Sequence, residues 1–401
     1  MQNFDVCVIG AGASGALASI LLAEKGLKVC IVDKFDKPAK KLLVTGNGRC
    51  NITNKNMSSS FYNQNIDDFL HVFDYQDTLK LFKKFGLEIY FDEEGRAYPI
   101  SNSAKTVQHV LINQINKLKI DFFGETTVKD IDCENDKYLI KTDKLDILAK
   151  KVIMACGVNV FSQNILKKFD IKYNKILPSL VALKTKQNTK KLDGIRVSNV
   201  LVKAKIGDKE KIEIGEILFK EHGLSGICIF NISSIFAKNK RFEGKISVNL
   251  LKNYSKSQIF DLISSKVNIF ENVQSLLESL FASQLSKEIL TRSNIPLEKS
   301  SKSLSKQEIE CLVENITDMK FDVVDCYDNN QVFSGGVDLF CLTQSLESKN
   351  QKDMYFCGEL CDVDGVCGGY NLQWAWTSAF VVANNIIEKE IYKNKKIVNL
   401  L

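Results

Sequence analysis

No apolar run in this 401-residue chain is long enough to span a bilayer, so no membrane helix is expected. The apolar stretch near the N-terminus, Phe4–Ile9, has no Lys or Arg ahead of it, carries Asp5 and runs into glycines. That is not the build of a signal peptide, and a cytoplasmic location is expected. A strong charge of one sign is also lacking: 54 basic against 48 acidic residues leave +6, with both signs mixed along the chain. A nucleic-acid partner is therefore not expected, and a small-molecule substrate is. Internal repeats and low-complexity tracts are absent, and the sequence gives no sign of oligomeric state.

Cysteine is not scarce, at twelve residues, but no C-x-x-C pair occurs. Cys357, Cys361 and Cys367, with Cys341 upstream, are spaced C-x3-C-x5-C with glycines between. Small buried thiols explain them better than a zinc or iron–sulfur site, and no metal is expected. With 45% hydrophobic and 25% charged residues, the chain has room for two or three globular domains.

What is present begins at residue 4. The strand Phe4–Ile9 leads into Gly10-Ala11-Gly12-Ala13-Ser14-Gly15, then a helical run from Ala16 to Lys25, then a second apolar strand, Val29–Val32, ending on Asp33. This order is a βαβ nucleotide-binding unit. Gly10 allows the sharp turn, Gly12 lets a pyrophosphate approach the backbone, and Gly15 lets helix pack on strand. Free N–H groups at the helix start favour phosphate, and Asp33 is placed to accept from ribose hydroxyls.

Further along, residues 46–60 read as a polar loop. Helices are expected at Asp77–Phe85 and Thr106–Leu118, and short strands at 126–132 and 137–142. Lys151–Gly157 reads as a buried strand returning to the parallel sheet. A hairpin is expected from Val197–Ile206 and Lys211–Phe219, then a strand at Lys245–Leu250. Capping boxes at Ser255 and Ser305 then open helices. The chain is thus divided into a nucleotide domain (1–187), an inserted, substrate-facing domain of strands then helices (188–327), and the rest of the nucleotide domain (328–401).

The last part repeats the strand, glycine loop, helix logic. Asp353–Glu359 is a strand ending in Gly-Glu, Asp362–Tyr370 a glycine-rich loop, and Asn371–Lys389 a long helix. One ligand long enough to touch both loops is FAD. Its AMP half would sit at the first loop and its flavin at the second. Glu359 and Asp364 would accept ribityl hydroxyls, while Gly368 and Gly369 would allow close approach. The N–H groups of Asn371, Leu372 and Gln373 would face the flavin pyrimidine carbonyl.

The segment Lys40-Lys41-Leu42-Leu43-Val44-Thr45-Gly46-Asn47-Gly48-Arg49-Cys50-Asn51-Ile52-Thr53-Asn54 resembles the K-L-x-x-(S/T)-G-N-G-R-C-N-x-T-N segment of the HI0933-like flavoproteins. Asp362–Gly365 with Gly368–Gln373 resembles their D-V-D-G-x-x-G-G-Y-N-L-Q, Gly223–Gly226 their G-L-S-G, and Leu346–Lys349 their M-E-S-K. Matches run from residue 5 to about 380. The resemblance implies an α/β fold, an FAD-binding Rossmann-like unit of the two-dinucleotide-binding-domain flavoprotein type, carrying an inserted β-rich and helical domain. It implies FAD and NAD(P)H-linked chemistry, with members acting as reductases of carbon–carbon double bonds in steroid-like acids or as aminoacetone oxidases. By that analogy Asp33, Asn47, Arg49, Cys50 and Asn51 line the cofactor. The cofactor set is completed by Ala13, Ser14, Lys34, Lys41, Gly46, Val128, Ala155 and Gly157.

This chain departs from the family pattern after Ala155-Cys156-Gly157, where Val158 replaces a second glycine and the loop is short. Three residues are candidates for chemistry beside the flavin: His222 as proton donor, Cys50 as redox thiol, and Tyr370 as proton donor or stacking ring. With no second G-x-G-x-x-G, NAD(P)H would dock transiently. The expected activity is an FAD-dependent, NAD(P)H-driven reductase of an unsaturated or carbonyl compound. An oxidase of a small amine, a non-catalytic flavin module and a tRNA-modifying enzyme are the alternatives.

Overall fold

The computed structural model describes residues 2–239, 242–328 and 332–398, with side chains as far as Tyr392. The chain forms two compact units, Met1–Leu177 with Val332–Leu401, and Pro178–Gln331.

The first unit is built on a seven-stranded sheet. Strands Asp121–Phe123, Val29–Val32, Gln2–Ile9 and Asp146–Met154 run parallel in that order. The strand Asp146–Met154 is shared along its length. Its first half pairs with the antiparallel meander Lys137–Thr142 and Val128–Glu134, its second half with the parallel strand Met354–Phe356. The central strands are apolar on both faces because both are buried; Val6, Cys7 and Val8 are fully buried. The fingerprint helix Ala13–Ala23 is apolar nearly all round for the same reason, lying between the sheet and the terminal helix Tyr370–Val398. Helices Tyr75–Lys84 and Ala104–Lys117 lie where expected. The segment read as a loop at 46–60 is more ordered: Lys40–Gly48 forms tight 3-10 turns, and Thr53–Asn54 pairs with Arg96–Ala97.

The second unit is a closed six-stranded barrel in the order Leu183–Thr185, Gly223–Ser225, Lys209–Lys220, Arg196–Ile206, Gly244–Asn249, Met319–Cys326. Val200, Val202, Ala204, Ile217, Phe219, Ile246, Val248 and Phe321 alternate inward and are buried. The insert therefore begins at Pro178, not 188. The strand Leu183–Thr185 is needed to close the barrel, and three residues are too few for alternation to reveal it. Both capping boxes form, at Ser255 and Ser305. In the second, Lys299 donates to Glu308 (2.5 Å) and holds its carboxyl at about 2. A depressed folded pKa adds stability above the ordinary glutamate value and loses it as pH falls toward 2. Glu308→Gln is expected to lower stability at neutral pH while leaving it little changed near pH 2, so that the acid limb of an unfolding-versus-pH curve flattens; an unchanged limb would exclude the linkage.

Candidate functional site

The parallel strands end together at Ile9, Met154 and Phe356, and the glycine turns gather at those ends. At the first turn Gly10 has φ +101, and a Cβ there would lie 2.5 Å from the Cys156 Cα. A Cβ on Gly15 would lie 1.9 Å from the Gly10 carbonyl oxygen. These two glycines serve packing. Gly12 is different: nothing lies within 4 Å of where its Cβ would point. The helix it opens has no side-chain cap and no acid in its first turn, so the N–H groups about Ala13 and Ser14 face that open space uncapped.

Asp33 braces the turn. Its Oδ2 accepts from the Ala11 N–H (2.5 Å) and its Oδ1 from the Phe35 N–H (2.8 Å), leaving each oxygen a lone pair for a sugar hydroxyl. Its carbonyl accepts from Thr126, which brings the strand start at Val128 beside it. Lys34 points elsewhere: exposed, with its ammonium over the Phe35 ring at 5.3 Å, it has no polar partner at the turn.

The segment 40–54 closes the cradle. Lys41 pairs with Glu359 at 3.5 Å, beside the Cβ-free face of Gly157. Ala155 donates its N–H to Ile9 (2.8 Å). Gly46, Asn47, Gly48 and Cys50 all have positive φ, a run of left-handed residues that turns the backbone tightly. The Arg49 guanidinium lies 4.5 Å over the Tyr98 ring, and among the described residues no carboxylate pairs with it. Asn54 donates to the Gly368 carbonyl (2.9 Å), and Trp376 to that of Ile52 (3.0 Å), joining this segment to the last glycine loop. The environment of Cys50 does not favour the expected redox role. It is fully buried, and burial pushes its thiol up to about 12. Cys156, pushed up to about 11, and Cys357, to about 12, are likewise protonated near neutrality, through burial.

At the last loop Gly369, φ +97, sits so close to Thr53 that a Cβ would lie 2.5 Å from its carbonyl oxygen. Asp364 is buried and accepts from Ser334 (3.0 Å); Glu359 accepts from the Phe333 N–H (3.1 Å). The Asn371 side chain clamps Gly365, accepting its N–H and donating to its carbonyl, which fixes the loop before the terminal helix. Among the described residues the N–H groups of Asn371 and Leu372 have no acceptor. Gln373 differs from expectation. Its N–H bonds the Gly369 carbonyl, and its fully buried side chain bonds Thr53, Thr78, Thr377 and the Phe73 carbonyl. It holds the loop rather than facing a ligand.

Tyr370 stacks on Phe61 at 4.5 Å, and burial raises its phenol. His222 lies in the barrel unit, exposed, with Glu221 at 3.8 Å and its N–H donated to the Tyr327 hydroxyl. Asn63 and Asn174, which hold the Asp362 carboxylate, escaped sequence reading because they belong to no motif. Among the described residues no cluster of His, Cys, Asp or Glu could hold a metal, and no helix is long and apolar enough to cross a membrane.

A long dinucleotide fits this cradle. It offers an open face at Gly12, two helix starts without a first-turn acid, and a buried Asn51 amide oxygen with no partner in the protein. The family model of the HI0933-like protein Rossmann domain matches residues 4–385. A 3-dehydro-bile acid delta(4,6)-reductase of Clostridium scindens is 30% identical over 95% of this chain and 98% of its own. A ribosomal RNA dihydrouridine synthase of Escherichia coli is 27% identical over 96% and 99%. In fold the chain is similar to a 3-ketosteroid delta1-dehydrogenase from Sterolibacterium denitrificans, with TM-score 0.52 at 11% identity, over 97% of this chain and all of that one. Its motifs, its cradle and the family match over nearly its whole length agree: this chain belongs to the HI0933-like family of Rossmann-domain flavoproteins.

Proposed function

We propose that this protein is an FAD-dependent oxidoreductase that uses NAD(P)H to reduce an activated carbon–carbon double bond, or a carbonyl, in a small molecule. The observation that carries this reading is the meeting of two glycine turns from opposite ends of the chain in one unit, bridged by Lys41–Glu359 and Asn54–Gly368. A bound FAD would supply hydride transfer at its isoalloxazine ring. The backbone at Gly12–Ser14 would bind the pyrophosphate, with Lys41 as counter-charge, and Asp33 the ribose. Glu359 and Asp364 would orient the ribityl chain, and the Asn371 and Leu372 N–H groups would stabilise negative charge on the pyrimidine edge. His222 is the proposed proton source. Its replacement by Ala is expected to lower turnover about 100-fold with FAD still bound; unchanged turnover would remove it from the reaction.

The names of the two relatives share a chemistry, reduction of a carbon–carbon double bond, which supports this reading. The test is an anaerobic visible spectrum of the purified protein with NADPH, then NADH. Bleaching of a flavin band by either donor is the expected result, and a flavin band that neither donor bleaches would count against an NAD(P)H-driven reductase.

A second reading takes a uracil ring in RNA as the acceptor. Lys203, Lys205 and Lys245 are exposed on neighbouring barrel strands, with Lys205 and Lys245 in register. Glu210 and Asp322 flank that pair in register, so a polyanion would find mixed charge there with Lys203 as its excess. Loss of dihydrouridine from ribosomal RNA when the gene is deleted would favour it; unchanged dihydrouridine would exclude it.

A further inference from the structure

Four buried side-chain atoms among the described residues have no hydrogen-bond partner: Asn51 Oδ1, Ser179 Oγ, Ser301 Oγ and Asn385 Oδ1. Only Asn51 belongs to the cradle, where it is 8% exposed. It is wedged between the turn at Gly46 and the last glycine loop. A Cβ on Gly46 would lie 2.9 Å from the Asn51 backbone nitrogen, and one on Gly369 would lie 2.8 Å from the Asn51 Oδ1. Neighbouring donors are committed elsewhere: Asn54 to Gly368, Trp376 to Ile52, and the Gln373 N–H to Gly369. A buried amide oxygen without a donor is destabilising, so a ligand that brings a donor would satisfy it.

The inference rests on the FAD reading. In that reading the N–H groups at the start of the terminal helix face the carbonyl at one edge of the flavin pyrimidine. The oxidised isoalloxazine ring carries a single N–H, the imide N3–H, which adjoins that carbonyl. We propose that the Asn51 side-chain oxygen accepts the flavin N3–H and is the residue that recognises the imide edge. Asn51 is then a positioning residue: it fixes the ring in its plane and discriminates for cofactors that carry this N–H.

The test titrates the apoprotein with FAD and with N3-methyl-FAD, read by flavin fluorescence. Wild type is expected to bind N3-methyl-FAD about tenfold more weakly, about 1.4 kcal/mol. Asn51→Ala is expected to lose about tenfold in FAD affinity and to bind the two cofactors equally. Asn51→Asp, close in shape and still an acceptor, is expected to keep the preference for FAD; it covers the case in which the Ala variant does not fold. Equal binding of the two cofactors by wild type would overturn the proposal, as would a preference that survives in Asn51→Ala. Failure of FAD itself to bind wild type is a different result, which overturns the cofactor reading and this inference with it.

Discussion

Gly12→Ala is expected to leave the fold intact and the protein without FAD. Gly12 has φ −66, which alanine adopts freely, and a Cβ there meets no atom of the protein. The added methyl group instead occupies the space beside the open helix N-terminus, where the pyrophosphate would lie. The expected result is an unfolding midpoint within a few degrees of wild type and FAD affinity lowered about 100-fold, about 2.7 kcal/mol. Gly15→Ala is the contrast. Its Cβ would sit 1.9 Å from the Gly10 carbonyl oxygen, a clash of backbone with backbone that no side-chain movement relieves. A loss of about 4 kcal/mol or more, or no soluble protein, is expected. Thermal melts and FAD titration of the two variants separate the roles. If Gly12→Ala binds FAD as wild type does, the open face is not the phosphate site.

Gln373→Leu is expected to cost about 2 kcal/mol or more. The substitution keeps the volume but removes one amide that serves Thr53, Thr78, Thr377 and the Phe73 carbonyl, all in the buried interior. Thr53 is left without its acceptor, at about 1–3 kcal/mol, while Thr78 keeps the Asp74 carbonyl and the Phe73 carbonyl keeps the Thr377 hydroxyl. Because Thr53 follows the 46–52 turn and Gln373 lies in the first turns of the terminal helix, FAD affinity should fall as well. Urea unfolding measures the first effect and FAD titration the second. Stability within 1 kcal/mol of wild type would show that the network is dispensable.

The parts of the fold set by local chemistry were legible in the sequence. The buried strands Gln2–Ile9 and Val29–Val32 stand out because parallel strands covered on both faces read as apolar runs. The capping boxes at Ser255 and Ser305 declare their helices within four residues. Barrel closure was not legible, because it depends on two three-residue strands, Leu183–Thr185 and Gly223–Ser225, meeting across the chain. The same holds within the site. The glycines signal close approach wherever they pack, but the role of Gln373 follows from which distant loops surround it. Cys50 shows the opposite limit: its motif position suggested reactivity, whereas its complete burial, invisible in sequence, raises its thiol.

The packing of the fingerprint helix Ala13–Ala23 against the terminal helix Tyr370–Val398 has a consequence for synthesis. Ribosomes add about 5–20 residues per second, so the second helix emerges roughly 20 to 70 seconds after the first. During that interval the barrel unit can pair all of its own strands, while the N-terminal helix waits with an apolar face uncovered. A nascent chain stopped before residue 370 would therefore carry a complete dinucleotide fingerprint on a unit lacking its covering helix. Such fragments should be held by chaperones and cleared by proteases rather than accumulate as nucleotide-binding pieces.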